Sequence, residues 1–121
     1  MATVAAKITD DNRGGVLITW EAITDTNLDG SAVDVSAYTD LVVHSDGNYG
    51  SGASVALQGS NNNTAWFALT APGGTAIALT ADTVGALIVE EPKYIRCLND
   101  AGGDANTDID VYVRAKKLPR Y

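Results

Sequence analysis

One cysteine, one histidine, one methionine, one phenylalanine and three prolines are all that 121 residues contain of these types. Each scarcity excludes something. A single thiol, Cys97, cannot form an internal disulfide. It lies in the apolar run Tyr94-Ile95-Arg96-Cys97-Leu98, where a buried thiol serves as a small hydrophobe. The lone histidine, His44, has no acid or nucleophile patterned around it to make a catalytic pair. Glutamate occurs only at Glu21, Glu90 and Glu91, and the last two precede Pro92 at a strand end. Glycoside hydrolysis needs two acids facing each other across a cleft, and this placement offers none. Phosphate-cradling glycine patterns and a nucleophile elbow are absent; Gly102-Gly103 stands in a polar loop. The chain reads as a non-enzyme without a cofactor. No stretch nears the ~18 apolar residues of a membrane-spanning helix. Met1 to Lys7 has neither the basic start nor the apolar centre of a leader peptide.

Charge is also sparse, at 19% of residues, against about 25% in an ordinary soluble domain. The net charge of −7 argues against nucleic acid as a partner, because phosphate contacts require clustered Lys and Arg. The distribution is uneven. Arg114, Lys116, Lys117 and Arg120, half of all the basic residues, fall in the last eight positions. The first 113 residues hold four basic and fifteen acidic side chains, a net of −11. An acidic body with a basic end can orient docking onto another protein.

What the chain does have is alternation. Val16, Ile18 and Trp20 recur at every second position, as do Leu41 and Val43, Val55 and Leu57, Phe67 and Leu69, Ile77 and Leu79, and Ile109, Val111 and Val113. A period of two marks strands with one dry face. Turn signals separate them: Arg13-Gly14-Gly15, Asp29-Gly30-Ser31, Asp46-Gly47-Asn48, Asn61-Asn62-Asn63, Pro72-Gly73-Gly74, Glu91-Pro92-Lys93 and Gly102-Gly103-Asp104. Eight strands follow, near 15–22, 38–44, 53–59, 65–70, 76–80, 86–90, 93–99 and 108–115. Helical periodicity is missing, with room for one turn at most over Thr80 to Ala86. The fold class is all-β, an antiparallel sandwich of about eight strands, jelly-roll or Ig-like. Residues 15–115 form the sandwich. Residues 1–14 make an arm laid on a neighbouring subunit or an ordinary first strand, and 116–121 a basic tail.

Asp25-Thr26-Asn27-Leu28-Asp29-Gly30-Ser31 fits the opening of a calcium loop. Asp25, Asn27 and Asp29 supply oxygens at alternate positions, and Gly30 permits a sharp turn. The twelfth position, which should be a bidentate Glu, is Ser36. The competing reading is an acidic loop between strands, where Asn, Asp and Gly serve turn geometry. Among the aromatics, Trp20 and Trp66 read as core or core-edge anchors. Tyr49, between Asn48 and Gly50, is the candidate for exposed contact.

The segment Gln58-Gly59-Ser60-Asn61-Asn62-Asn63-Thr64-Ala65-Trp66-Phe67 reads as a hairpin with an Asn-rich turn, preceded by Ala53-Ser54-Val55-Ala56-Leu57. Together with Tyr38-Thr39-Asp40-Leu41-Val42-Val43 upstream and Glu91-Pro92-Lys93-Tyr94-Ile95-Arg96 downstream, it resembles small β-sandwich structural proteins of tailed-phage virions. The likeness covers about half the chain. Such hairpins often read Ser-Asn-Asp-Gly, where this one has Ser60-Asn61-Asn62-Asn63; Asn tolerates positive φ, so the turn survives. Similar hairpins occur in discoidin-like carbohydrate-binding sandwiches. The resemblance implies a capsid decoration (cement) protein on the outer surface of the virion, bridging copies of the major capsid protein. Its neighbours would include copies of itself, a trimer among the arrangements. The implied capsid contacts are Met1, Val4 and Ile8 at one end and Arg114, Lys116, Lys117 and Arg120 at the other. Head–tail joining, tail or fibre structure and a carbohydrate-binding module are the alternatives. A cement protein needs extended termini and a flat apolar footprint; a glycan binder needs exposed aromatics flanked by Asp, Asn or Arg in a concave site.

Overall fold

Alternating apolar residues with few helix formers leave the backbone one way to satisfy its polar groups, which is to pair strands. The computed structural model describes residues 3–81 and 85–118. Its strands are β1 (Ala6–Asp10), β2 (Gly15–Ile23), β3 (Val33–Asp34), β4 (Tyr38–Asn48), β5 (Val55–Ser60), β6 (Phe67–Ala68), β7 (Ala78–Leu79), β8 (Gly85–Leu87), β9 (Tyr94–Asn99) and β10 (Asp108–Lys117). Two five-stranded antiparallel sheets result. One has the order β1-β2-β10-β4-β8; the other runs β3-β9-β5-β6, with β7 also on β5. Consecutive strands β2, β3, β4 and β5 alternate between the sheets, as do β8, β9 and β10. With β1 set aside, β2-β10-β4-β8 facing β3-β9-β5-β6 is the strand order of a jelly roll.

One core joins the inner faces. Val16, Ile18, Trp20, Leu41, Val43, Val111 and Val113 come from the first sheet, and Val55, Leu57, Ile95 and Cys97 from the second. The outward positions between them are wetter, as the alternation requires: Val42, His44 and Arg114 are exposed. Among the described residues, every buried side-chain nitrogen and oxygen has a hydrogen-bond partner. Asn99, 1% exposed, is an example. Its amide donates to the carbonyls of Thr24 (3.2 Å) and Gly102 (2.9 Å), and its Oδ1 accepts from the Gly102 N–H.

Several expectations need correcting. Asp46-Gly47-Asn48 is not a turn, because β4 runs through it to Asn48. Gly47 faces Ile109 across the ladder at φ 131° and lies against the Asp108 carbonyl, so glycine serves close approach of two strands there. The chain reverses at Tyr49–Gly52 instead, where the Ala53 N–H bonds the Tyr49 carbonyl. Tyr49 is therefore not an exposed contact; it is buried, with its hydroxyl on Ser45 Oγ. Phe67 and Leu69 do not share a fate, since Leu69 is buried and Phe67 is 40% exposed at the sheet edge. Strands β1 and β3 come in addition to the eight expected. The helical turn expected over Thr80 to Ala86 lies partly outside the described residues, and Gly85–Leu87 is strand.

Burial decides the chemistry of Cys97. The side chain is fully enclosed, and burial pushes its thiol up to about 12. The neutral thiol is a poor nucleophile. Ellman's reagent is expected to leave the folded protein unlabelled and to react fully once denaturant unfolds it. Rapid labelling without denaturant would contradict this packing.

Candidate functional site

The outward face of the β1–β8 sheet carries a row fixed by register. Thr9 pairs Leu17, Leu17 pairs Arg114, Arg114 pairs Val42 and Val42 pairs Leu87. Directly opposed residues project from the same face of a sheet. Leu17 is half-buried, Val42 44% exposed and Leu87 47% exposed. Val89, 53% exposed, lies past the end of β8, where its N–H bonds the Thr70 carbonyl. Strand alternation thus places Leu17, Val42 and Leu87 in one row with Thr9 and Arg114. The next row contains Tyr112 and His44, stacked with ring centroids 4.8 Å apart.

The basic end is tied back onto the fold. β10 continues to Lys117, two residues past the expected end of the strand. Arg114 forms an ion pair with Asp11 at 2.9 Å, in the β1–β2 turn, and Lys117 bonds Asp10 at the end of β1. Backbone bonds from Lys117 N–H to Gly14 and from Leu118 N–H to Ala37 hold the same segment. Lys116 is exposed beside them. At the other end, Val4 is half-buried against the core and exchanges backbone bonds with Asp29 and Ser31, while Ile8 is 54% exposed on β1. Met1 and Arg120 lie outside the described residues.

These ion pairs set an acid dependence. Asp10 is held below the usual carboxylate range by the Lys117 hydrogen bond and then by the Asn12 N–H. Asp11 is lowered by the Arg13 N–H and, with smaller effect, by Arg114. A lowered folded pKa contributes stability above the unfolded value, near 4, and that contribution is lost as pH falls through the folded value. Wild type is therefore expected to melt higher than an Asp10→Asn/Asp11→Asn variant at pH 7. The gap in midpoints should narrow progressively as pH falls below about 4. A gap that widens on acidification would contradict the assignment.

The loop read as a calcium motif has another architecture. Thr24 Oγ1 accepts the N–H groups of Thr26 and Asn27, and the Asn27 carbonyl accepts the Thr24 N–H. Asp29 pairs with Leu98 and Gly30 with Val4 as β-bridges, and the Asp29 carboxylate accepts the Thr3 hydroxyl. Gly30 is thus not a turn glycine. A Cβ there would sit 2.5 Å from Trp20 Cδ1 and 2.7 Å from Cys97 Sγ, so glycine is required by packing. Among the described residues, no three His, Cys, Asp or Glu side chains gather closely enough to hold a metal ion.

The second sheet shows what single-residue reading missed. Trp66 is half-buried just before β6, with the Arg96 guanidinium 4.1 Å from its ring centroid. Arg96 Nε donates to Gln58 Oε1 at 2.8 Å, and Gln58 and Arg96 are ladder partners. The stack pins the hairpin to β9. Its turn closes as its composition demands: Ser60 Oγ accepts the N–H groups of Asn62 and Asn63, Asn62 Oδ1 accepts those of Thr64 and Ala65, and Asn63 takes φ 59°. Lys93, just before β9, lies with its Nζ 5.4 Å from the Tyr94 ring centroid. The partnership of Gln58 with Arg96 was implicit in the alternation of the two strands, but their register was not.

The molecule is an all-β antiparallel sandwich of two sheets. No family model, curated protein or solved structure matches the chain.

Proposed function

We propose that this chain is a structural protein of a tailed-phage virion, a decoration protein that binds the outer capsid surface and bridges subunits of the major capsid protein. The observation that carries the reading is the set of aliphatics Leu17, Val42 and Leu87 that flank Arg114 on the outward face of the first sheet. Exposed aliphatics beside an Arg114 side chain that is already paired with Asp11 suit contact with another protein. The hairpin and flanking segments that resemble virion sandwiches support the same reading, and jelly rolls recur among capsid proteins. The chemistry would be mechanical: many copies, each burying area across a subunit junction, hold the shell by multivalent contact. Neighbouring copies of the chain are partners in the same layer.

Cosedimentation with expanded shells of the accompanying major capsid protein tests this. Wild type is expected to pellet at saturating stoichiometry, and Val42→Glu/Leu87→Glu to stay in the supernatant while melting normally. A wild type that never pellets would sink the proposal.

A second reading has one observation of its own. Trp66, Arg96, Gln58 and Tyr94 assemble an aromatic and polar cluster on the second sheet, the residue types a carbohydrate-binding face uses. Retention on a polysaccharide matrix that Trp66→Ala abolishes would favour it.

A further inference from the structure

Strand β1 is the longest strand at a sheet edge: β3 and β6 have two residues each and β8 three, against five in β1. Its hydrogen-bonding parity can be read from its neighbours. The N–H and C=O of Val4 both point away from β2, to Asp29 and Ser31, and the Ala6 N–H points away as well, to Ser31 Oγ at 3.0 Å. The Asp11 N–H points inward, to Gly15. In an antiparallel ladder these directions alternate. Lys7 and Thr9 therefore bond β2, and the N–H and C=O of Ile8 are turned outward, where no described residue pairs with them.

The Ile8 side chain adds to this. Its ladder partner is the fully buried Ile18, so Ile8 projects from the core-facing side of the sheet, yet it is 54% exposed. Edges of this kind are usually guarded by proline, a bulge, a charged side chain or a covering loop, and here the Asp29–Ser31 loop covers only the Val4–Ala6 end. Ala6–Asp10 has no proline and a regular register, and its one lysine, Lys7, is engaged by Glu21 at 3.0 Å.

We infer that β1 pairs edge to edge with β1 of a second copy, antiparallel about a twofold axis at Ile8. The sequence of the strand is self-complementary in that register. Ile8 faces Ile8 of the partner subunit, Lys7 faces the partner's Thr9, and Ala6 faces the partner's Asp10, so no like charges oppose. The two Ile8 residues exchange both backbone bonds as a hydrogen-bonded pair, and each Asp10 N–H reaches the partner's Ala6 carbonyl, a ladder of about four bonds. Ser31 Oγ, already on the Ala6 N–H, ends the ladder there. Two first sheets become one continuous sheet, and the paired isoleucines close the open mouth of each core. The symmetry is twofold, where the likeness to cement proteins implies a trimer. The inference does not rest on the capsid reading, since self-association is measured on the purified chain alone.

The test is solution mass by light scattering after gel filtration, up to about 100 μM. Wild type is expected at about twice 12.6 kDa. Ile8→Pro removes only an outward N–H and is expected to give the monomer mass. Ile8→Lys keeps that N–H but opposes two charges at the axis, and is expected to give the monomer with an unchanged melt, which covers the case in which the proline variant misfolds. A wild type that stays monomeric, or a trimer mass, or a dimer that survives Ile8→Lys, overturns the inference.

Discussion

Trp20→Ala is expected to lower the unfolding free energy by about 3–5 kcal/mol, measured by urea titration, which is the range for truncating a large aromatic in a core. Total stability for a domain of this kind is about 5–15 kcal/mol, so the variant would be close to unfolding at ambient temperature. Trp20 is 0% exposed and stands between Ile18 and Ile23 on β2. Its Nε1 donates to the Ser31 carbonyl at 2.9 Å, fastening the loop before β3 to the first sheet. Gly30, next in that loop, gives up its own side chain to the same indole. Gly30→Ala alone should cost about 1–3 kcal/mol through overpacking. In the Trp20→Ala background the clash with the ring is gone, and the second substitution should cost at least about 0.5 kcal/mol less. Additive costs, or a Trp20→Ala loss below about 1 kcal/mol, would refute the packing described.

Gly47→Ala is expected to be the most damaging glycine substitution, at about 3 kcal/mol. Two costs combine. At φ 131° an L side chain is strained, and the new Cβ would run into the Asp108 carbonyl and lie 3.1 Å from Ile109 Cα. Backbone on a paired strand cannot yield as a side-chain tip can. Gly14 is the control: it has φ 83° but nothing within 4 Å of a Cβ. Gly14→Ala should therefore show the conformational cost alone, about 1 kcal/mol. Equal losses at the two positions would mean that the close approach of β4 and β10 is absent.

The two glycines also show where the sequence was legible and where it was not. Alternation at Val16–Ile18–Trp20 and Ile109–Val111–Val113 identified buried faces because a period of two is a local property. The Ser60–Asn63 turn was equally legible, since its side chains bond their own backbone. Gly30 and Gly47 looked like turn residues because glycine beside Asp and Asn usually is one. Their actual reason, contact with Trp20 and with Asp108, depends on partners ten or sixty-one positions away that no local pattern reveals. Tyr49 was misplaced for the same cause: its loop folds inward onto Ser45. The Arg96–Trp66 stack and the row from Leu17 to Leu87 require the ladder register, which short-range patterning does not contain. Strand β1 was ambiguous because Ala6–Asp10 has one large apolar residue, and an edge strand needs no more.

The capsid reading is tested most directly by cryo-electron microscopy of shells incubated with the purified chain. Sandwich-shaped density over subunit junctions, with the Val42–Leu87 face turned toward the shell, is the expected result. A shell surface without added density, at protein concentrations that saturate a genuine decoration site, would contradict it.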